Sequence, residues 1–227
     1  MGTDFSGLPE EDAIRMVLRP AADGGPSFSR FVSDLERART ATHRGATTGV
    51  KDGRGPYGSF LGAMRYVSLL AQIGRCFLPK AVRSAKGNAI LRALECFLPG
   101  TSFESLGQKE RIALAALRRA VGIGTSLIYC NADNPDWQHR FLLLQRGEEV
   151  VRLPKVPWDG DPSNSAHDVC TQVNLERVGD MVEEIVAGLR KMADAGELHC
   201  ALERGKEALL EQFWIEDDSI DTRWRTT

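Results

Sequence analysis

Four residues in the last third of the chain carry the side chains of a zinc site: His167 and Cys170, two residues apart, and the adjacent pair His199 and Cys200. Zinc gathers imidazole nitrogens and thiolates into tetrahedral sets, and its usual spacings are C-x2–4-C and H-x3–5-H. Neither spacing is present, and on a helix His199 and Cys200 diverge. The pattern reads as exposed histidine and buried cysteine, and no metal ligands are predicted. Gly53-Arg54-Gly55 and Gly122-Ile123-Gly124 bring glycines close enough to cradle phosphate, but neither follows a strand or ends in Lys-Ser/Thr. Serine, histidine and aspartate are scattered without a nucleophile-and-base pattern. No catalytic residues and no cofactor are expected. The five cysteines are odd in number and widely spaced, which suits reduced thiols in a reducing compartment.

Cations carry the stronger signal. The net charge of −2 hides a polarised chain: residues 1–29 balance to −3, residues 30–119 to +10 and residues 120–227 to −9. The candidates for contacting phosphate are Arg37, Arg39, Arg44, Lys51, Arg54, Lys80, Arg83, Lys86, Arg118 and Arg119. Near an anionic bilayer each Lys or Arg contributes roughly 1 kcal/mol, so five or six on one face hold a protein there reversibly and salt-dependently. The same side chains suit RNA phosphates. Aromatics are sparse among them, with Tyr57 and Tyr66 the nearest, which favours charge contact over base stacking. The opening Met1-Gly2-Thr3-Asp4-Phe5-Ser6 fits the N-myristoylation pattern, and an acyl chain beside a basic patch makes a stable anchor.

The elements that must present these cations read as helices. Ser6 caps a first helix from about Leu8, ended by Pro20. Ser27 opens a second, with Phe31, Val32 and Leu35 on one face. Residues 40–58 read as a basic loop, and Ser59 to Phe77 as a central core helix. Pro79 begins a helix to Leu98 that lines Lys80, Arg83 and Lys86 along one exposed edge. Further helices are predicted over Gln108–Tyr129, His167–Ala195 and Glu197–Trp214. Phe141 to Leu153 reads as a short hairpin or a final bundle helix. The expected fold is all-α: a helical binding and assembly domain over 1–157, a linker over 158–166 and a helical C-terminal domain over 167–227. The expected protein is intracellular, with no apolar run long enough to span a membrane and no secretory signal.

Ile112-Ala113-Leu114, Ala120-Val121 and Leu127-Ile128-Tyr129 resemble a core helix of the influenza-type orthomyxovirus matrix proteins. Val17-Leu18, Gly25-Pro26 and Leu35-Glu36 resemble that family's first two helices, and Leu78-Pro79 before a basic segment falls in the same order. The likeness covers residues 10–131. It implies N-terminal helical bundles with a looser helical C-terminal region. It also implies a viral structural protein of the virion that lines the inner face of the envelope. Such a protein assembles with itself, touches anionic lipid through a basic surface and bridges to viral ribonucleoprotein or RNA. The family's Cys/Cys/His/His cluster has no counterpart after Tyr129, so no zinc is carried over. Its compact basic run is missing from the nearly uncharged Gly100–Gly107 stretch, so nuclear targeting is not carried over. The alternative reading is an RNA- or ribonucleoprotein-binding helical module, or a cellular adaptor, without a matrix role.

Overall fold

The most apolar stretch of the chain becomes its central helix. In the computed structural model, which describes residues 7–19, 29–42, 55–83, 86–124, 126–131, 133–164 and 166–214, α3 (Gly55–Cys76) packs against α2 (Arg30–Ala41), α4 (Ala89–Phe97) and α6 (Leu175–Asp194). Its buried positions Ala63, Tyr66, Val67, Leu70, Ile73 and Cys76 recur at helical spacing. Glycines set the helix separations. A Cβ on Gly74 would lie 1.8 Å from the Ala89 carbonyl oxygen of α4, and one on Gly62 would lie 2.4 Å from Thr42 at the end of α2. The buried Arg92 of α4 donates to the Gly74 carbonyl across the same contact.

Two further helices close this body. The C-termini of α1 (Glu10–Leu18) and α6 exchange arginines: Arg15 donates to the Ala193 carbonyl at 3.2 Å, and Arg190 donates to the Leu18 carbonyl at 2.8 Å. Cations suit these positions because the last carbonyls of a helix lack partners and bear partial negative charge. Arg19 and Asp194 add an ion pair at the same place. Helix α7 (Lys206–Phe213) packs on α1, and its Phe213 meets Phe31 edge to face at 6.0 Å.

The all-α expectation is overturned: the protein is mixed α/β, 55% helix and 13% strand. β1 (Phe77–Pro79) pairs antiparallel with β6 (Leu198–Cys200). A second sheet has the order β2-β3-β5-β4, from β2 (Ile128–Tyr129), β3 (His139–Leu144), β4 (Val151–Arg152) and β5 (Thr171–Asn174). β3 and β5 run parallel, while β2 and β4 are antiparallel to their neighbours. α5 (Gln108–Gly124) packs on this sheet.

Each misread helix has a local cause. Pro79 ends β1 and does not begin a helix. α4 starts only after Gly87, which has a positive φ of 92°, and is capped by Asn88, whose side chain accepts from the Ile90 and Leu91 amides. α5 stops at Gly124, so Ile128 and Tyr129 are strand. Asn174 caps α6 by accepting from the Glu176 and Arg177 amides, so Val173, read as part of a helical stripe, is a strand residue. In the same way, β6 and α7 replace the helix expected over Glu197–Trp214. The 141–153 region does form strands, but not a hairpin: β5 lies between β3 and β4. The 158–166 stretch joins β4 to β5 within that sheet, and its Trp158 is buried, its indole donating to the Asp161 carbonyl. The chain on either side of this stretch contributes to one continuous core, from Ala13 to Phe213.

Candidate polyanion-binding surface

The sequence-predicted cations among the described residues fall in different settings. Arg39 lies in the seam between α2 and α6. It grips Glu183 with two hydrogen bonds, of 2.7 and 2.6 Å, and also pairs with Glu36. Both Arg39 and Glu183 are about three-quarters buried, at 27% and 25% side-chain exposure. The Tyr66 hydroxyl donates to the same carboxylate at 2.7 Å. Hydrogen bonding to Glu183 raises the Arg39 pKa further, and burial together with the nearby Arg39 charge lowers that of Arg190. This arginine is neutralised by an acid from the C-terminal third of its own chain.

Lys80 is drawn the other way. Its ammonium meets Glu11 of α1 at 2.7 Å and holds that carboxyl below its ordinary range, while its amide donates to the Glu197 carbonyl. Lys80, Arg83 and Lys86 lie before α4, which starts at Ala89, and do not share a helical edge, although all three are exposed. Arg37 is exposed and lies 3.8 Å from Asp34. Arg44, Lys51, Arg54 and the Met1–Ser6 motif lie outside the described residues.

Arg118 and Arg119 sit near the end of α5 in a different setting. Arg119 donates to the Tyr129 hydroxyl at 3.0 Å, and its guanidinium lies 5.0 Å from the centre of the Trp137 ring. Tyr129 meets Trp137 edge-on at 6.5 Å. β2 and the short 3-10 turn Pro135–Trp137 thus bring to α5 the aromatics that chain proximity did not reveal. Tyr66, one of the aromatics nearest the cations in sequence, is fully buried.

A basic strip that sequence reading missed runs along α3. Leu61, Arg65, Ser68, Gln72 and Arg75 follow one another at intervals of four, three, four and three residues, which places them on one helical face. Arg65 and Arg75 are exposed and have no ion pair among the described residues. The 22 residues of α3 include no Asp or Glu. Arg83 and Lys86, exposed between β1 and α4, the helix packed on α3, also have no ion pair among the described residues. The signal was present in the sequence: the polar positions of α3 have the same period as its apolar ones.

The zinc-like residues are apart. His167 begins a 3-10 turn, and His199 lies on β6 in register with Leu78. The thiols of Cys170 and Cys200 donate to the carbonyls of Ala166 and Gly205. Among the described residues no group of three or more His, Cys, Asp and Glu gathers as a metal ion would need. No helix among them is long and apolar enough to cross a membrane. No protein-family model, curated protein or solved structure matches the chain.

Proposed function

We propose that this chain is a matrix-type structural protein that binds an anionic lipid surface and assembles with itself beneath it. The observation that carries the reading is the acid-free outer stripe of α3, with Arg65 and Arg75 unpaired among the described residues, together with exposed Arg83 and Lys86 ahead of α4. The mixed fold departs from the all-helical one the orthomyxovirus likeness implies, so the reading rests on this surface more than on that likeness. Four cations facing a bilayer contribute roughly 4 kcal/mol at low salt, about a thousandfold in partitioning. Leu61, half exposed at 51%, adds an apolar side chain at one end of the stripe.

Co-sedimentation with vesicles tests it. Vesicles containing phosphatidylserine should retain the protein at low salt and release it at high salt, and neutral vesicles should not bind it. The variant R65Q/R75Q/R83Q/K86Q should lose binding while keeping its fold. Equal binding of the variant and the parent chain would refute the assignment of this face. If RNA competes with vesicles and binds more tightly at equal salt, the alternative of a ribonucleoprotein-binding module gains the ground.

A further inference from the structure

We infer that copies of this chain associate head to tail, the Arg118–Arg119–Tyr129–Trp137 patch of one copy seating in an acid-rimmed cleft of the next. This rests on the reading of the chain as a self-assembling layer protein and names the contact that builds the layer. The cleft has a volume of about 260 Å³ and opens between the start of α5 and β4. Phe103, Leu106, Val150 and Val151 contribute to its lining, but most of the exposed lining is polar. Its carboxylates are Glu110, Glu148 and Glu149. Glu149 is engaged by Arg152, but Glu110 and Glu148 have no ion pair among the described residues. Arg177 lies flat on the Phe103 ring at 4.8 Å and is paired with Asp180, so the cleft's own cation is occupied. A mainly polar cleft with acids that have no ion pair among the described residues suits a cationic side chain.

The patch on α5 has that chemistry. Arg118 is exposed and has no ion pair among the described residues. Arg119 is held ready by Tyr129 and Trp137, so little ordering entropy remains to be lost on docking. Tryptophan, tyrosine and arginine are the residues that dominate binding at protein interfaces. Leu127, 37% exposed, precedes the same strand and extends the apolar part of the patch. Patch and cleft are different surfaces of one molecule, both built partly from α5, with Glu110 in its first turn and Arg118 and Arg119 near its end. A contact between unlike surfaces leaves a free patch at one end and a free cleft at the other, so it propagates into a ring or an open array. It also leaves the α3 stripe free to face lipid.

Complementary variants test this. R118E keeps the cleft and reverses the patch, while E110K/E148K keeps the patch and reverses the cleft. In sedimentation velocity, each variant alone should stay monomeric at concentrations where the parent chain assembles. Mixed one to one, they should assemble again, because the intact cleft of one meets the intact patch of the other and the reversed patch meets the reversed cleft. Persistent assembly of either variant, or a mixture that stays monomeric, would overturn the proposal. If a charge reversal impairs folding by circular dichroism, R118Q and E110Q/E148Q replace it, each expected to weaken assembly at least tenfold; unchanged assembly then overturns it. Vesicle binding by the monomeric variants should match the parent chain at equal concentration, which separates failure of this contact from failure of the lipid reading.

Discussion

Arg39 and Arg65 come from the same basic third of the chain and meet opposite fates. In the α2–α6 seam the C-terminal third supplies Glu183, and the arginine becomes part of the architecture. On the outer face of α3 no acid among the described residues pairs with Arg65 or Arg75, and they stay available. A segmental charge of +10 therefore says little about a surface until the folded chain shows which cations its own acids consume. The contrast also separates two kinds of substitution: those that should cost stability and spare binding, and those that should do the reverse.

The harshest way to break the contrast is to disturb the helix that carries the free stripe. Gly74→Ala would press a methyl into the Ala89 carbonyl, backbone against backbone. It should destabilise the fold by about 3 kcal/mol, as overpacking a core does, read as a lower urea midpoint. Glu183→Gln should come next, at about 2–3 kcal/mol, because it leaves a mostly buried guanidinium short of its counter-charge. Arg65→Gln and Arg75→Gln should each change stability by less than about 0.5 kcal/mol, yet weaken binding to anionic vesicles about fivefold apiece. If Glu183→Gln proves harmless, or the α3 changes unfold the protein, the distinction between seam and stripe fails.

Acid should sharpen the contrast from the sheet side. His139 is buried, its Nε2 against the Asp136 carbonyl at 3.0 Å and its Nδ1 against the Thr171 hydroxyl at 2.9 Å. Burial lowers its pKa, so the unfolded chain takes up the proton first. Its contribution to stability is complete above the ordinary histidine range, near pH 6.5, and declines as the pH falls from there toward the depressed value. Thermal melts across pH 7 to 5 should show this decline, and His139→Gln should flatten it. The smallest effect concerns the thiols. Burial pushes Cys76 up to about 12, while Cys130 is exposed. Iodoacetamide at pH 8 should label Cys130 well before Cys76 in the folded protein, and mass spectrometry of partial digests reads the order.

Long periodic segments were legible in the sequence. The apolar period placed the central helix, the body of α5 and all of α6, because a stripe of that length has one economical way to be buried. Outside the 141–153 region, read as a hairpin or a helix, the strands were not legible, since runs of two to six residues take their identity from partners far along the chain. β6 is strand because Phe77 to Pro79 receive it, and Val173 is strand because β3 and β4 flank it. The caps at Asn88 and Asn174 were visible as residue types and would have moved both helix starts if weighted above the apolar stripe. The site was legible as charge and illegible as geometry. Glu183 lies 144 residues from Arg39, and nothing in local spacing joins them. Arg65 and Arg75 were hidden because their helix was read only for its core.

The arginine exchange between α1 and α6 spans 172 and 178 residues. During synthesis, α1 therefore emerges well over a hundred residues ahead of the α6 terminus that partners it. Contacts of such long range bring a large loop-closure cost before they stabilise anything, and they slow folding. The C-terminus of α1 should stay unpartnered until α6 has been synthesised, and only then lock against it.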